Sequence, residues 1–175
     1  MYGKDIKNKH KPLSENDITK GFNCGNDAIN SYLHSKVLTD KKAKTFIVVN
    51  TENNEVICYY SLCCSGFVIS SANKFTIYPA VEIKMFAIDE KYQHMKYSDD
   101  VDEDNLNLSD MLFSEVISFI YDFTENSCGA DEVILYSVPD AENFYIRNGF
   151  KRFEKFMLES SELFTDGCIP MYMDL

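Results

Sequence analysis

A carboxylate inside an otherwise apolar strand is the first residue in this sequence that could carry chemistry. Residues 81–88 are typical of a central strand covered on both faces, yet Glu82 and Lys84 interrupt the apolar run. Alternation along the strand places both on one face, together with Phe86. A charge in such a strand costs free energy unless it is paired or used. Glu82 therefore either has a chemical role or forms a surface ion pair with Lys84.

A second candidate is the acidic run at residues 99–104, which has five acids in six positions. Its aspartates match the first, third and fifth positions of a calcium loop: Asp100, Asp102 and Asp104. Asn105 stands where that loop needs a glycine, and Met111 stands where it needs a bidentate glutamate. We therefore predict no metal site and interpret residues 99–108 as a solvated acidic insertion.

Two short helices are predicted in the first forty residues. Ser14, with an acid three residues later, is typical of a helix start, and Gly21 would end that helix. Asn26 or Asp27 would cap the second helix, whose apolar residues recur at helical spacing: Ile29, Tyr32, Leu33 and Val37.

Two further helices are predicted in the second half. The first is about five turns long, begins with a cap at Ser109 and ends at residues 127–129. One apolar face is expected on it, formed by Leu112, Val116, Phe119, Ile120 and Phe123. The other helix covers residues 141–148, contains Tyr145 and is closed by Gly149.

The predicted strands are rich in β-branched and aromatic residues and cover 4–13, 45–50, 56–62, 81–88, 131–138, 151–157 and 169–175. The long helix between 81–88 and 131–138 fits a crossover that makes those two strands parallel neighbours. The last two strands are expected to pair antiparallel. Residues 70–79 are interpreted as a polar loop.

Composition favours one globular domain over residues 1–175. Hydrophobic residues make up 45% of the chain, which supports a core. No apolar run approaches the roughly 20 residues that a membrane span needs, and residues 1–11 show no secretory h-region, so we expect a cytoplasmic protein. The six cysteines form no Cys-x-x-Cys pair and are interpreted as reduced, packed thiols.

Charge argues against nucleic acid as the main partner. The net charge is −11, and the chain contains only two arginines, Arg147 and Arg152. Binding to a phosphate backbone depends on clustered cations. Residues 1–50 nevertheless carry nine lysines and five acids, so a local nucleic-acid contact stays open.

Two segments carry a family signature: residues 81–93, which end in Tyr92 and Gln93, and the block Asn-Phe-Tyr-x-x-x-Gly-Phe at residues 143–150. They resemble the GNAT superfamily of acetyl-CoA-dependent N-acetyltransferases, and the resemblance covers most of the chain. Residues 22–33 and 59–62 are similar to the branch that contains toxins acetylating aminoacyl-tRNA. The resemblance implies an α/β fold, a mixed sheet of about six or seven strands with splayed central parallel strands and flanking helices.

The resemblance also implies where acetyl-CoA would bind. The pantetheine arm would pair with backbone groups of Phe86, Ala87 and Ile88, and Asn143 would hydrogen-bond the arm. The pyrophosphate would lie at a loop that in the family contains glycines and opens a helix. The corresponding residues here include no glycine: Gln93, His94, Met95, Lys96, Tyr97 and Ser98.

Two catalytic roles follow from the same resemblance. Tyr145 matches the phenol that protonates the departing thiolate, and a tyrosine hydroxyl can donate such a proton. Glu82 is placed like the base that takes a proton from the amine, although a water-relayed proton is equally compatible.

The predicted function is transfer of acetyl from acetyl-CoA to a primary amine, which could be a small amine, an amino-acid derivative or a protein amine. An acidic surface favours cationic acceptors. Two alternatives stay open: a toxin-type enzyme acting on aminoacyl-tRNA, and a non-catalytic binding module with a GNAT-type fold. A homodimer and an antitoxin-like partner are also left open.

Overall fold

The computed structural model describes residues 2–17, 19–71, 74–99, 106–153 and 167–175, with the backbone alone at residues 70–71. The acidic positions 100–105 and residues 154–157 of the predicted strand 151–157 lie outside these residues. By its contacts, the chain divides into two units. The first unit consists of Met1–Leu62 and Met85–Val116, and the second consists of Cys63–Lys84 and Ile117–Leu175. The expectation of a single domain stays a prediction.

In the described residues, seven strands form a mixed sheet in the order β1-β2-β3-β4-β5-β7-β6. Their bounds are β1 Asn8–Pro12, β2 Lys44–Asn50, β3 Val56–Ser71, β4 Lys74–Ile88, β5 Glu132–Ser137, β6 Lys151–Arg152 and β7 Ile169–Asp174. The predicted parallel pairing of the fourth and fifth strands is confirmed. The predicted antiparallel pairing of the last two strands and the predicted α/β class are also confirmed.

The helices are α1 Asp27–Ser31, α2 Leu108–Ser127 and α3 Glu142–Arg147. The Asn26 side chain caps α1, as predicted, by accepting the backbone N–H groups of Ala28 and Ile29. The chain then continues through a π-helical turn, Tyr32–Lys36. Short 3₁₀ turns lie at Gly3–Asp5 and Pro139–Ala141.

Three element predictions are wrong. Ser14 and Asp17 close a turn and not a helix: the Ser14 N–H and hydroxyl donate to the Asp17 carboxylate, and the Asp17 N–H donates to the Ser14 carbonyl. Helix α2 begins at Leu108, so Ser109 lies inside its first turn, while Asp110 accepts the Asn107 N–H. The segment predicted as a polar loop at 70–79 instead contains the end of β3 and, from Lys74, the start of β4.

The core of the first unit lies against β2 and β3. Their β-branched and aromatic side chains fill it, including the fully buried Ile47, Val48 and Tyr59. The Phe22 and Tyr59 rings pack edge-to-face with their centroids 5.4 Å apart. This contact helps to hold the segment before α1 against the sheet.

The predicted apolar face of α2 is only partly buried. Leu112, Val116 and Ile120 have no solvent exposure, whereas Phe119 and Phe123 are exposed. Phe119 and Phe123 lie at the margins of the predicted face, so the buried face of α2 is narrower than the predicted one.

Candidate active site

The end of β4 is fixed by polar side chains of the first unit. The buried Asp89 carboxylate accepts the backbone N–H of Asn23 at 2.9 Å and that of Lys91 at 3.1 Å. The Gln93 amide donates to the carbonyl oxygens of Ile88 at 2.8 Å and Cys24 at 3.0 Å. These bonds hold the loop after β4 against the segment that leads into α1.

The predicted pyrophosphate loop is tied to the N-terminus of the chain. The Gly3 N–H donates to the Lys96 carbonyl, and the Lys4 N–H donates to the Tyr97 carbonyl, both at 2.9 Å. The Lys4 ammonium also reaches the buried Ser98 hydroxyl at 2.9 Å and the Asp99 carboxylate at 2.8 Å. The loop itself contains no glycine, and hydrogen bonds from the residues that precede β1 hold its backbone in place.

This loop is also bonded to the N-terminus of α2. The Leu108 N–H donates to the Met95 carbonyl at 2.8 Å, and the Tyr97 N–H donates to the Leu106 carbonyl at 2.9 Å. The predicted loop therefore lies against the N-terminal turn of α2, the kind of position at which helices bind phosphate. His94 and Lys96 are exposed, so their side chains are accessible to an anion.

The residues expected to pair with pantetheine lie at the end of β4 in the first unit. Ala87 and Ile88 are buried, and the Phe86 ring meets Phe113 of α2 edge-on at 4.9 Å. The next residue, Asp89, donates its backbone N–H to the Ile57 carbonyl at 2.9 Å. The strand therefore has a fixed position at its carboxyl end.

In the second unit, the parallel register of β4 and β5 runs from Ala80 opposite Glu132 to Ile83 opposite Leu135. It stops there, although β4 continues to Ile88 and β5 to Ser137. This early end agrees with the predicted splay of the two central strands.

Glu82 lies one residue before the end of this register, opposite Ile134. Tyr136, two residues further along β5, shares that face because side chains alternate along a strand. Burial raises the pKa of the Tyr136 phenol, and the nearby Glu82 charge raises it further. Tyr136 was missed from the sequence, because only the strand register places it beside Glu82.

Tyr145 lies in α3 of the second unit and is buried. Its ring meets Phe144 edge-on at 5.2 Å and Phe150 at 6.0 Å. Burial raises the pKa of its phenol well above the ordinary range, so the group stays protonated at neutral pH. Asn143 precedes it in the same helix and is exposed.

The predicted site residues therefore divide between the two units. The first holds the expected cofactor-binding residues Phe86, Ala87, Ile88 and Gln93 to Ser98, and the second holds Glu82, Asn143 and Tyr145. Their roles stay predictions. The described residues contain no group of three or more His, Cys, Asp or Glu side chains placed to hold a metal ion.

Many cations are engaged by acids. Lys7, Lys11 and Arg152 lie beside Glu52, Asp17 and Glu142, and the Arg147 guanidinium lies over the Phe144 ring at 5.5 Å.

Within the part of the chain that the structure describes, no helix is long and apolar enough to cross a membrane.

The sequence matches no protein-family model and no curated protein. The structure, in contrast, is similar to solved structures of toxins. AtaT complexed with acetyl-methionyl-tRNAfMet is similar with a TM-score of 0.70 at 18% identity, over 96% of this chain and 95% of that chain.

Two other solved structures of toxins are also similar. AtaTR bound with acetyl-CoA gives a TM-score of 0.68 at 18% identity, over 97% of this chain and 94% of that one. A tyrosine-to-phenylalanine mutant of KacT gives a TM-score of 0.69 at 15% identity, over 95% and 94%. These likenesses show the fold alone: the chain has the α/β fold of these toxin structures, the GNAT-type fold that the sequence resemblance implied.

Proposed function

Starting from this fold, we propose that the chain transfers an acetyl group from acetyl-CoA to a primary amine. The observation that carries the proposal is the early end of the parallel register between β4 and β5, after Ile83 and Leu135. Ligands of open α/β sheets bind beyond the carboxyl ends of parallel strands. The pantetheine arm is proposed to pair with backbone groups of residues 86–88.

Tyr145 is the proposed general acid. The amine nitrogen attacks the thioester carbonyl, a C–N bond forms, and the C–S bond breaks to release a thiolate. Tyr145 donates its proton to that sulfur, a transfer that a phenol hydroxyl can make to an atom to which it hydrogen-bonds. Its aromatic surroundings, Phe144 and Phe150, limit the motion of the ring.

Glu82 is the proposed acceptor of the proton that the amine loses. Its position one residue before the end of the parallel register supports this role, because the reacting amine would approach from that end of the strands. Tyr136 shares the face of Glu82 and can orient either the amine or a water that relays the proton.

The pyrophosphate would bind at residues 93–98. The exposed Lys96 and the first turn of α2 supply positive potential there. Gln93 and Ser98 are proposed to act indirectly, since their polar groups already bond to the chain itself.

A second candidate is acetylation of aminoacyl-tRNA, which the similarity to AtaT solved with acetyl-methionyl-tRNA favours. The charge distribution does not favour it. The net charge is −11, and three of the nine lysines in residues 1–50 lie beside acids: Lys4, Lys7 and Lys11. A tRNA substrate would therefore need the remaining lysines of that segment.

One assay separates these readings. Acetyl-CoA labelled in the acetyl group is offered with a small cationic amine, a peptide N-terminus and methionyl-tRNA, at low and high salt. Transfer to a small amine or peptide supports the main proposal. Transfer to tRNA alone, falling steeply with salt, replaces it with the second candidate.

Binding is measured separately by thermal shift. Acetyl-CoA at 100 times its dissociation constant would stabilise the fold by about 2.7 kcal/mol. No shift at millimolar acetyl-CoA, together with no transfer to any acceptor, would leave only a non-catalytic binding module.

A further inference from the structure

Helix α3, which contains Tyr145, is too short to hold its own position. It has six residues, and its N-cap residue, Ala141, makes no side-chain capping bond. Isolated helices of fewer than about 12 residues are marginal in water. The position of the Tyr145 hydroxyl is therefore set by the contacts that α3 makes with the rest of the second unit.

The C-terminal end of α3 is closed by a Schellman motif that includes Tyr145 itself. The Phe150 N–H donates to the Tyr145 carbonyl at 3.0 Å. The Gly149 N–H donates to the Ile146 carbonyl at 3.1 Å, with Gly149 at the positive φ of 91° that this motif requires. The Tyr145 and Phe150 rings pack with their centroids 6.0 Å apart, the apolar contact that accompanies the motif. These contacts fix one end of the helix.

The N-terminal end of α3 is held by a two-pronged arginine contact, which we call the fork. The Arg152 guanidinium donates through Nε to one oxygen of the Glu142 carboxylate and through Nη2 to the other. Two such bonds fix the angle between the two planar groups as well as their distance. The hydrogen bond from Arg152 lowers the pKa of Glu142, which favours the ionised carboxylate that the fork needs.

The fork connects α3 to the sheet of the second unit. Arg152 lies in β6 opposite the fully buried Met171 of β7, and β7 pairs along its whole length with β5. Glu142 precedes Tyr145 by three residues, and residues at this spacing are neighbours on the surface of a helix. The fork therefore joins the sheet to the turn of α3 that leads to Tyr145.

The residue type at this position supports an orienting role. Of the 17 Lys and Arg residues in the chain, only two are arginines. Both contact α3: Arg147 lies over the Phe144 ring at 5.5 Å, and Arg152 forms the fork. A lysine would supply the same charge to Glu142 but not the planar, bidentate geometry. The arginine at position 152 thus adds a fixed angle to the attraction between the charges.

We propose that Arg152 and Glu142 are positioning residues for acetyl transfer, an inference that rests on the proposed role of Tyr145 as the acid. The fork sets the angle of α3 on the sheet, and this angle sets where the Tyr145 hydroxyl lies when the thiolate departs. Proton transfer needs a donor and an acceptor about 2.6–3.2 Å apart, so a small rotation of α3 slows the transfer. Binding of acetyl-CoA, proposed for residues of the first unit, stays unchanged.

Conservative variants of the fork test the proposal in the full chain. Arg152→Lys keeps the charge and loses the bidentate geometry, whereas Glu142→Gln keeps the shape and loses the carboxylate. Each should lower kcat for acetyl transfer about tenfold and change the acetyl-CoA dissociation constant less than twofold. Circular dichroism and urea unfolding check that each variant is folded. A loss in acetyl-CoA affinity at unchanged kcat would overturn the proposal.

The matched control is Lys151→Gln, a change in the same strand. Lys151 precedes Arg152 in β6, and its ion pair with Asp174 at 3.0 Å joins β6 to β7 and does not involve α3. Turnover of this variant should equal that of the wild type. A tenfold loss in Lys151→Gln as well would mean that any charge change in β6 slows transfer, which overturns the specific role of the fork.

A double-mutant cycle shows whether the fork acts through Tyr145. In a Tyr145→Phe background there is no phenol proton to position, so adding Arg152→Lys should lower kcat no further. A general structural defect would instead lower kcat by the same factor in both backgrounds. A further tenfold loss in the Tyr145→Phe background therefore overturns the proposal.

The same measurements separate the positioning role from the proposed function. If the wild type transfers acetyl and both fork variants turn over normally, the positioning role fails alone, and the fork is an ion pair without catalytic consequence. If the wild type transfers acetyl to no acceptor, the proposed function fails and the positioning role fails with it.

Discussion

The two units use their polar side chains differently. In the first, Asp89, Gln93 and Ser98 form hydrogen bonds within the chain and hold the end of β4 and the loop after it. In the second, two phenols occupy candidate proton-transfer positions: Tyr136 shares the face of Glu82, and Tyr145 lies in α3. Burial raises the pKa of phenols in both units, Tyr59 and Tyr60 in the first and Tyr136 and Tyr145 in the second, so position and not the pKa distinguishes the second pair. We therefore propose a division of labour in which the first unit fixes backbone positions and the second supplies the groups that exchange protons.

The strongest test of this division is Tyr145→Phe. The substitution keeps the ring contacts with Phe144 and Phe150 but removes the proton that would reach the thiolate. We expect kcat for acetyl transfer to fall by about 100-fold, with an unchanged dissociation constant for acetyl-CoA. Steady-state kinetics and calorimetric titration measure the two quantities.

Tyr121→Phe is the matched control, since Tyr121 is exposed on α2 and has no proposed role. Turnover should be the same as in the wild type. If Tyr145→Phe also turns over normally, Tyr145 is not the acid, and the division of labour fails in the second unit.

A second prediction concerns a carboxyl pair of that unit, Glu132 and Asp174, which lie opposite each other on β5 and β7. Burial and the Asp174 charge raise the pKa of Glu132 from 4.5 to about 7. The Glu132 Oε2 atom is buried with no hydrogen-bond partner. Asp174, in contrast, has a lowered pKa because it accepts a hydrogen bond from Lys151 at 3.0 Å.

The sign of the pH effect follows. Between pH 4.5 and 7 the folded state holds the Glu132 proton and the unfolded state has lost it, so stability declines as the pH rises through this window. Glu132→Gln removes that decline. At pH 8 we expect the variant to be more stable than the wild type by about 1–2 kcal/mol, after allowing for the partial exposure of the side chain.

Urea unfolding between pH 4 and 8 measures this difference, with Glu125→Gln, an exposed change on α2, as the control. A variant with the same pH slope as the wild type would show that Glu132 ionises normally. It would then remove Glu132 from the perturbed groups of the second unit.

The sequence alone predicts most of the helices and strands but few of the side-chain contacts at the candidate site. Strand composition and the block at 143–150 locate β2, the apolar half of β4, β5 and α3, because those signals are local. The strand segments at 70–71 and 74–79 are missed because Ser70, Ser71 and Asn73 have a loop-like composition. Tyr136 is missed because its neighbour Glu82 is distant in sequence and is brought close only by the β4–β5 register.

The smallest expected effect concerns Gln93 of the first unit and tests whether that unit only fixes backbone positions. Gln93 is predicted to bind the cofactor, but its side-chain amide donates to the Ile88 and Cys24 carbonyls. If those bonds are its role, Gln93→Ala leaves two carbonyl groups without their donor. We expect a loss of about 1 kcal/mol in the free energy of unfolding and less than a twofold change in the acetyl-CoA dissociation constant. His94→Ala, an exposed neighbour in the same loop, should leave the unfolding free energy unchanged. A tenfold rise in the dissociation constant of Gln93→Ala at unchanged stability would instead make Gln93 a binding residue. The first unit would then contribute recognition as well as position.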